Sequence, residues 1–379
     1  MRKFLFIIFV FLVSNSFAQK KSSKANDKNN NVKEIDVVFC LDLSASTNGL
    51  LEDLKENYWN LVNHSNMLKP TPRLMISLVG YARPSFGSKF YYIKVLAGLT
   101  DNYDSLYEAI DKLHVNVEKG DQFVGQALMT AVRETEWSKN KSAAKMIFLV
   151  GNGSVYTGPS NLEDACELAK SKGIVIHTAY CMNGMVEKEI KGWEKIAYLG
   201  NGTSSQITVN KRLPSSVNLT PKDLWKLSKS FNNSFVFYGD SGLVRYKMMT
   251  KVDSLAVYSV GGVLQSRLLY KALRPEEQIT DWDLIAYSRS DNFNLYNVDR
   301  NTMPVDYSNT VGPDMLNIIK EKQIERDKIT DEIKTVMADE LDELKTNKIM
   351  KEDMSDEGLL NRVVIKAFVK TALNNGFWL

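Results

Sequence analysis

Val37-Val38-Phe39-Cys40-Leu41 is an unbroken apolar run. A short run with no polar alternation suits a strand buried on both faces, as in the centre of a parallel sheet. Polarity then switches abruptly to Asp42, Ser44 and Ser46, and helical periodicity begins just downstream at Leu50, Leu51, Leu54, Tyr58, Leu61 and Val62. The turn between them therefore joins a core strand to a helix, at the sheet edge where open α/β proteins bind ligands. A carboxylate and two hydroxyls at i, i+2 and i+4 can converge on one point there. Such hard oxygen ligands suit Mg²⁺, Mn²⁺ or Ca²⁺. The plainer alternative is that Ser44 or Ser46 only caps the following helix.

The same alternation continues. Strand-like runs at 74–81 and 91–96 are separated by a Pro/Gly/Ser turn at 84–88, and amphipathic helices follow at 101–113 and 124–137. Met146 to Val150 is a second buried strand that runs into Gly151-Asn152-Gly153-Ser154. A helix at 161–171, a strand at 174–180, a helix near 187–199 and a sixth strand at 204–209 complete the series. Strands alternating with helices predict an α/β domain with a doubly wound, mostly parallel six-stranded sheet.

Asp42, Ser44 and Ser46, placed after a buried strand, resemble the metal-ion-dependent adhesion site of the von Willebrand factor type A domain. The resemblance covers roughly residues 34–212 and implies a Rossmann-like sheet whose metal site draws on three loops. In the family the second loop offers a threonine in Gly-Gly-Thr-x-x-Gly. Here it reads Lys119-Gly120-Asp121-Gln122-Phe123-Val124-Gly125, which sets Gln122 at the threonine position with Asp121 beside it, and either could supply an oxygen. The third loop has Asn152-Gly153 in place of the family's Asp-Gly pair. An amide oxygen can still coordinate but brings no charge. The metal ligands implied are thus Asp42, Ser44, Ser46, Asp121, Gln122 and Asn152, around a divalent cation.

Phe148-Leu149-Val150-Gly151-Asn152-Gly153, the Cys166 helix and the Tyr180-Cys181 strand end also resemble a bacterial exported subgroup, in which both cysteines recur. Cys166 starts a helix and Cys181 ends the strand it feeds, so both lie near one sheet edge. A disulfide between them is an expectation, with two free buried thiols as the alternative. In the chain-entropy picture it would contribute about 3 kcal/mol.

Arg2 and Lys3, an apolar core at 4–13 and Ser16-Phe17-Ala18 form an export signal over residues 1–18. Residues 19–33 lack apolar content and read as a disordered linker. The protein is therefore expected to be periplasmic or secreted, with no transmembrane segment in the mature chain. Removing Arg2 and Lys3 takes the formal charge from +3 to +1, which leaves no electrostatic footprint for nucleic acid. Beyond residue 212 the pattern is mainly helical. Ile329, Ile333, Met337, Leu341 and Leu344 form one apolar stripe that suits packing within the chain better than a dimerising coiled coil. A final helix is expected near 356–374.

The histidines are His64, His114 and His177, and no order of Ser, Cys, His and Asp places a base beside a nucleophile on a recognisable loop. Asp281 and Asp283 flank Trp282 but read as a solvated turn. The chain is read as a binder rather than an enzyme: a partner protein would reach the metal through an acidic residue. The alternatives are a structural scaffold with a degenerate metal site, or an uncharacterised hydrolase.

Overall fold

The expected strands assemble into one sheet of six, in the order β3-β2-β1-β4-β5-β6. The computed structural model describes residues 32–113, 120–182, 187–210, 219–259, 262–346, 350 and 358–379. β1 is Glu34–Asp42, β2 Arg73–Tyr81, β3 Lys94–Thr100, β4 Ala144–Gly151, β5 Ile174–Cys181 and β6 Asn201–Ile207. All neighbours pair in parallel except β2 with β3, which is antiparallel at the edge. From β1 the chain winds outward through β2 and then restarts on the other side at β4. The carboxyl ends of β1 and β4 therefore frame the crevice where such sheets bind ligands.

Strand alternation divides the core into two. Val37, Phe39 and Leu41 face α1 (Leu50–Met67) and α2 (Tyr103–Asp111). Val38 and Cys40 face α3 (Val124–Glu134), α4 (Leu162–Ser171) and α5 (Glu187–Leu199). Every residue from Ile35 to Asp42 is buried. Full burial of side chains such as these contributes about 1.5–3 kcal/mol each, so the strand first read from the sequence anchors both layers.

One strand starts later than its apolar run suggests. Tyr91 and Tyr92 are not in β3; both are left-handed, with φ of 55° and 61°. Their N–H groups donate to Ser88 O and Gly87 O at 3.0 and 3.1 Å, and that turn chemistry overrides the β-propensity of two tyrosines.

The remainder is helical: α6 (Pro221–Asn233), α7 (Gly242–Tyr258), α8 (Val263–Leu273), two single-turn helices α9 (Leu284–Tyr287) and α10 (Val305–Ser308), α11 (Gly312–Val336), α12 (Ala338–Thr346) and α13 (Leu360–Asn374). The apolar stripe breaks at Met337 between α11 and α12, and Ile329, Ile333, Met337 and Leu344 are buried within the chain. The expected division at 212/213 marks a change of secondary structure and not a gap in the core. Val363 to Ala372 of α13 and Leu264, Leu268 and Leu269 of α8 pack in the same cluster as Phe39 and Phe148, and Val32–Leu379 is one compact unit.

Polar contacts tie the two parts together. Buried Asp253 of α7 accepts from Arg267 Nε at 2.7 Å and Lys271 Nζ at 2.8 Å, both on α8, and from Asn232 of α6 at 2.6 Å. The Arg267 guanidinium lies over the Trp59 ring of α1 at 4.4 Å and pairs with Asp104 of α2. Burial alone would raise the Asp253 carboxyl, but Lys271 and Arg267 outweigh it and hold it well below the usual range. His177 on β5 accepts at Nδ1 from the Thr203 N–H at 3.1 Å, so its Nε2–H donates to Thr371 Oγ1 of α13 at 2.9 Å.

The expected signal at 1–18 and most of the linker at 19–33 lie outside the described residues. Lys33, at the linker's end, donates to Gly376 O at 2.6 Å and is therefore docked. Among the described residues no helix is long and apolar enough to cross a membrane.

Candidate metal-binding site

β1 delivers Asp42 to the sheet edge, and the chain turns back at once. The Ser44 N–H donates to Asp42 Oδ1 at 2.9 Å, and Thr47 Oγ1 donates to the carbonyls of Asp42 and Ser44 at 2.9 and 3.0 Å. These bonds close the turn so that Ser44 Oγ and Ser46 Oγ lie 2.7 Å apart. Neither serine side chain caps the helix that follows; the α1 N-cap is Gly49. The plainer reading of these serines therefore gives way to convergence.

The second and third loops complete the cluster. Ser46 Oγ donates to Asn152 Oδ1 at 2.8 Å. Gln122 reaches in from the start of α3, and its Nε2 stands 2.6 Å from Asp42 Oδ2, 2.6 Å from Asn152 Oδ1, 3.1 Å from Ser46 Oγ and 3.2 Å from Ser44 Oγ. The choice left open between Asp121 and Gln122 falls to Gln122: Asp121 is exposed and stays out of the cluster. Two glycines on the third loop make room. A Cβ on Gly151 would meet Tyr81 Oη at 2.3 Å and Asp42 Cβ at 2.4 Å, and one on Gly153, at φ 94°, would meet Gln122 Oε1 at 2.4 Å.

Electrostatically the site is one buried carboxylate in a nest of neutral dipoles. Burial pushes the Asp42 carboxyl up; hydrogen bonds from Ser44, Asn152 and Gln122 pull the other way without cancelling it. Four oxygens of hard-donor type, from the first and third loops, face one point, and the Gln122 N–H₂ group of the second loop occupies that point. By donor chemistry the residues fit a divalent cation of the Mg²⁺, Mn²⁺ or Ca²⁺ kind. Among the described residues no group of three or more His, Cys, Asp or Glu side chains gathers to hold a metal elsewhere.

The expected Cys166–Cys181 disulfide does not form: Cys40, Cys166 and Cys181 are all free and buried. The two cysteines lie on opposite faces of the sheet, and the Cys166 thiol sits by the end of α5 that leads to Gly200 and the start of β5, away from Cys181 at the strand's end. Cys166, on α4, belongs to the cluster of Val38 and Cys40, its thiol directed at Ile196 O at 3.9 Å, whereas Cys181 belongs to the cluster of Phe39 and Ile207. Helix and strand order says nothing of which face a side chain takes. Asp281 and Asp283 also part company. Asp281 pairs with Arg245 at the surface, while Asp283 is fully buried, capping α9 and bonded to Arg326. Of the histidines, His64 and His177 are buried and His114 lies outside the described residues.

What the sequence did not reveal is mostly aromatic. The Phe123 ring, one residue from Gln122, lies 6.5 and 6.1 Å from the rings of Tyr91 and Tyr92. Positive φ at two tyrosines carries no signature that a sequence pattern could show.

A doubly wound sheet with an oxygen-lined crevice at the β1/β4 edge defines a Rossmann-like α/β domain with a candidate cation site. Residues 36–196 match the family model of the von Willebrand factor type A domain. No curated protein matches the chain. Solved structures with a similar fold include proximal thread matrix protein 1 from the mussel byssus with a zinc-occupied MIDAS motif, at 21% identity, TM-score 0.38, over 48% of this chain and 43% of that one. Others are an aerotolerance-related membrane protein from Bacteroides fragilis NCTC 9343 carrying multiple mutations to serine (15%, TM-score 0.33, 46% and 91%) and the SpRpn10 VWA domain (16%, TM-score 0.36, 48% and 92%). The chain thus spans less than half the length of the mussel protein. Likeness at this level adds nothing to what the sheet itself shows.

Proposed function

We propose that this chain is an exported protein-binding module that works through a divalent cation held at the Asp42 loop. The observation that carries the reading is the convergence of Asp42, Ser44, Ser46 and Asn152 oxygens on one point at the β1/β4 edge. Type A domains are protein-interaction modules and commonly hold a divalent metal at this place. Asp42, Ser44, Ser46 and Asn152 would hold the ion, and turning the Gln122 amide over would present Oε1 in place of Nε2. The ion supplies a concentrated positive charge at the surface, to which an acidic residue of the partner is drawn.

A binding role is favoured over catalysis by the state of the nucleophiles and bases. Burial pushes the thiols of Cys40, Cys166 and Cys181 up, Cys166 to about 12, and His177 is locked between Thr203 and Thr371. One observation favours the second reading, a metal-free scaffold: the Gln122 amide already satisfies the oxygens without an ion. Thermal unfolding of the full mature protein separates the two. Millimolar Mn²⁺ or Mg²⁺ is expected to raise Tm and a chelator to reverse it, because a ligand that binds only the folded state stabilises by about 2.7 kcal/mol at 100 times its Kd. Asp42→Ala should fold and lose the response. A flat Tm across ions and chelator would favour the scaffold.

A further inference from the structure

We propose that the connection between β2 and β3, residues 82–93, is the second half of the contact surface, and that it selects a partner segment that is both acidic and aromatic. The inference rests on the Asp42 loop being the first half. Continuity between the two comes through the second loop. A Cβ on Gly120 would meet Ala82 O at 2.4 Å, so that loop lies directly on the base of the connection. Phe123, next to Gln122, fills the angle between Tyr91, Tyr92 and Gly158.

The connection displays apolar rings where folding gives no reason for them. Phe90 is 62% and Tyr91 42% exposed. They are held out rigidly, because the left-handed pair at Tyr91 and Tyr92 is bonded back to Gly87 and Ser88, and the Arg83 N–H donates to Tyr92 O at 3.3 Å. Phe86 anchors the other end by packing against the core beside Gly80. Rings fixed in position lose little entropy on binding, which is why aromatic residues dominate contact centres.

Charge decides what these rings meet. From 82 to 100 the chain carries Arg83, Lys89 and Lys94 and neither Asp nor Glu. Among the described residues none of the three pairs with a carboxylate; Arg83 and Lys89 lie over the Phe86 and Phe90 rings at 5.7 and 6.0 Å. Asp121 flanks the connection on the second loop and leaves it net basic. A partner segment that gives one carboxylate to the Asp42 loop can give a second to these cations and an aromatic side chain to Phe90 and Tyr91. The surface joins a protein-binding edge in a chain of near-neutral overall charge, so the occupant is a protein segment.

The test is a selection of short phage-displayed peptides, each with one fixed Asp and random flanks, on the immobilised full chain in MnCl₂. Recovered peptides should be enriched in aromatic and acidic residues beside the fixed Asp. Their affinity should fall about tenfold or more for Phe90→Ser and Tyr91→Ser, fall for Lys89→Glu, and survive Tyr91→Phe, with Tm of all variants near the native value. Peptides that need Mn²⁺ and Asp42 but bind the three disruptive variants as well as the native chain overturn the second half and leave the metal reading standing. Peptides that ignore chelator and Asp42→Ala yet depend on Phe90 and Tyr91 do the reverse. A selection that yields no binder dependent on the connection overturns the proposal.

Discussion

The Gln122 amide nitrogen stands 2.6 Å from the Asp42 carboxylate, at the point on which the hydroxyls of Ser44 and Ser46 also converge. The side chain thus does two things at once: it adds a donor to a buried carboxylate already bonded by the Ser44 and Asn152 N–H groups, and it stands where a cation would.

Replacing that amide should separate the two roles. Gln122→Glu removes the donor and brings a second carboxylate to Asp42 and Asn152. In chelator the variant is expected to lose about 1–3 kcal/mol of stability. In Mn²⁺ it should bind at least tenfold more tightly, about 1.4 kcal/mol, by isothermal titration calorimetry. Equal affinity for native and variant would mean that Gln122 does not govern the site.

Acid should loosen the sheet from its helical cover. Burial lowers His177 from 6.5 to about 4, and His64 likewise. Both bind a proton more readily unfolded than folded, so their contribution is whole above pH 6.5 and is lost as pH falls towards 4. The loss for His177 approaches about 3 kcal/mol. Urea unfolding of His177→Gln, compared with the native chain at pH 7 and pH 4.5, should show a shallower pH dependence in the variant. Equal slopes would remove His177 from the account.

Asp253 is expected to be among the costliest single positions. Asp253→Ala leaves Lys271 buried without a counter-charge and Arg267 with Asp104 alone, a loss of about 3–5 kcal/mol. Adding Lys271→Met should recover part of it, since one uncompensated charge is then gone. Chemical denaturation of both variants checks this, and an additive double variant would show that the two side chains are not coupled.

The free thiols predict their own assay. The purified, non-reduced chain should show three alkylatable cysteines after unfolding, and slow reaction of all three before it, since burial holds each thiol protonated. A mass corresponding to one disulfide would contradict the placement of Cys166 and Cys181 on opposite faces.

Legibility followed the physics of each signal. The buried runs at 37–41 and 146–150 became β1 and β4 because a strand covered on both faces must be apolar throughout, and the Asp42 turn followed from where β1 ends. Asn152 could be placed because it directly follows β4. The choice between Asp121 and Gln122 was not legible, since both sit in one turn and only the packing of Gly153 against the Gln122 amide separates them. The disulfide failed for a related reason: helix and strand order does not say which face of the sheet Cys166 and Cys181 take. The left-handed tyrosines were hidden because a β-prone dipeptide gives no warning that local turn bonds will override it.

The bond from His177 to Thr371 has a consequence for how this protein can be inherited. The family match ends at residue 196, yet the sheet face bearing Phe148, Ala179 and Cys181 is roofed by α13, some two hundred positions further along the chain. A gene fusion that moved only the matched stretch into another protein would carry a bare apolar wall with it and tend to aggregate through it. Only a transfer that carries α13 along with the sheet would keep that face covered.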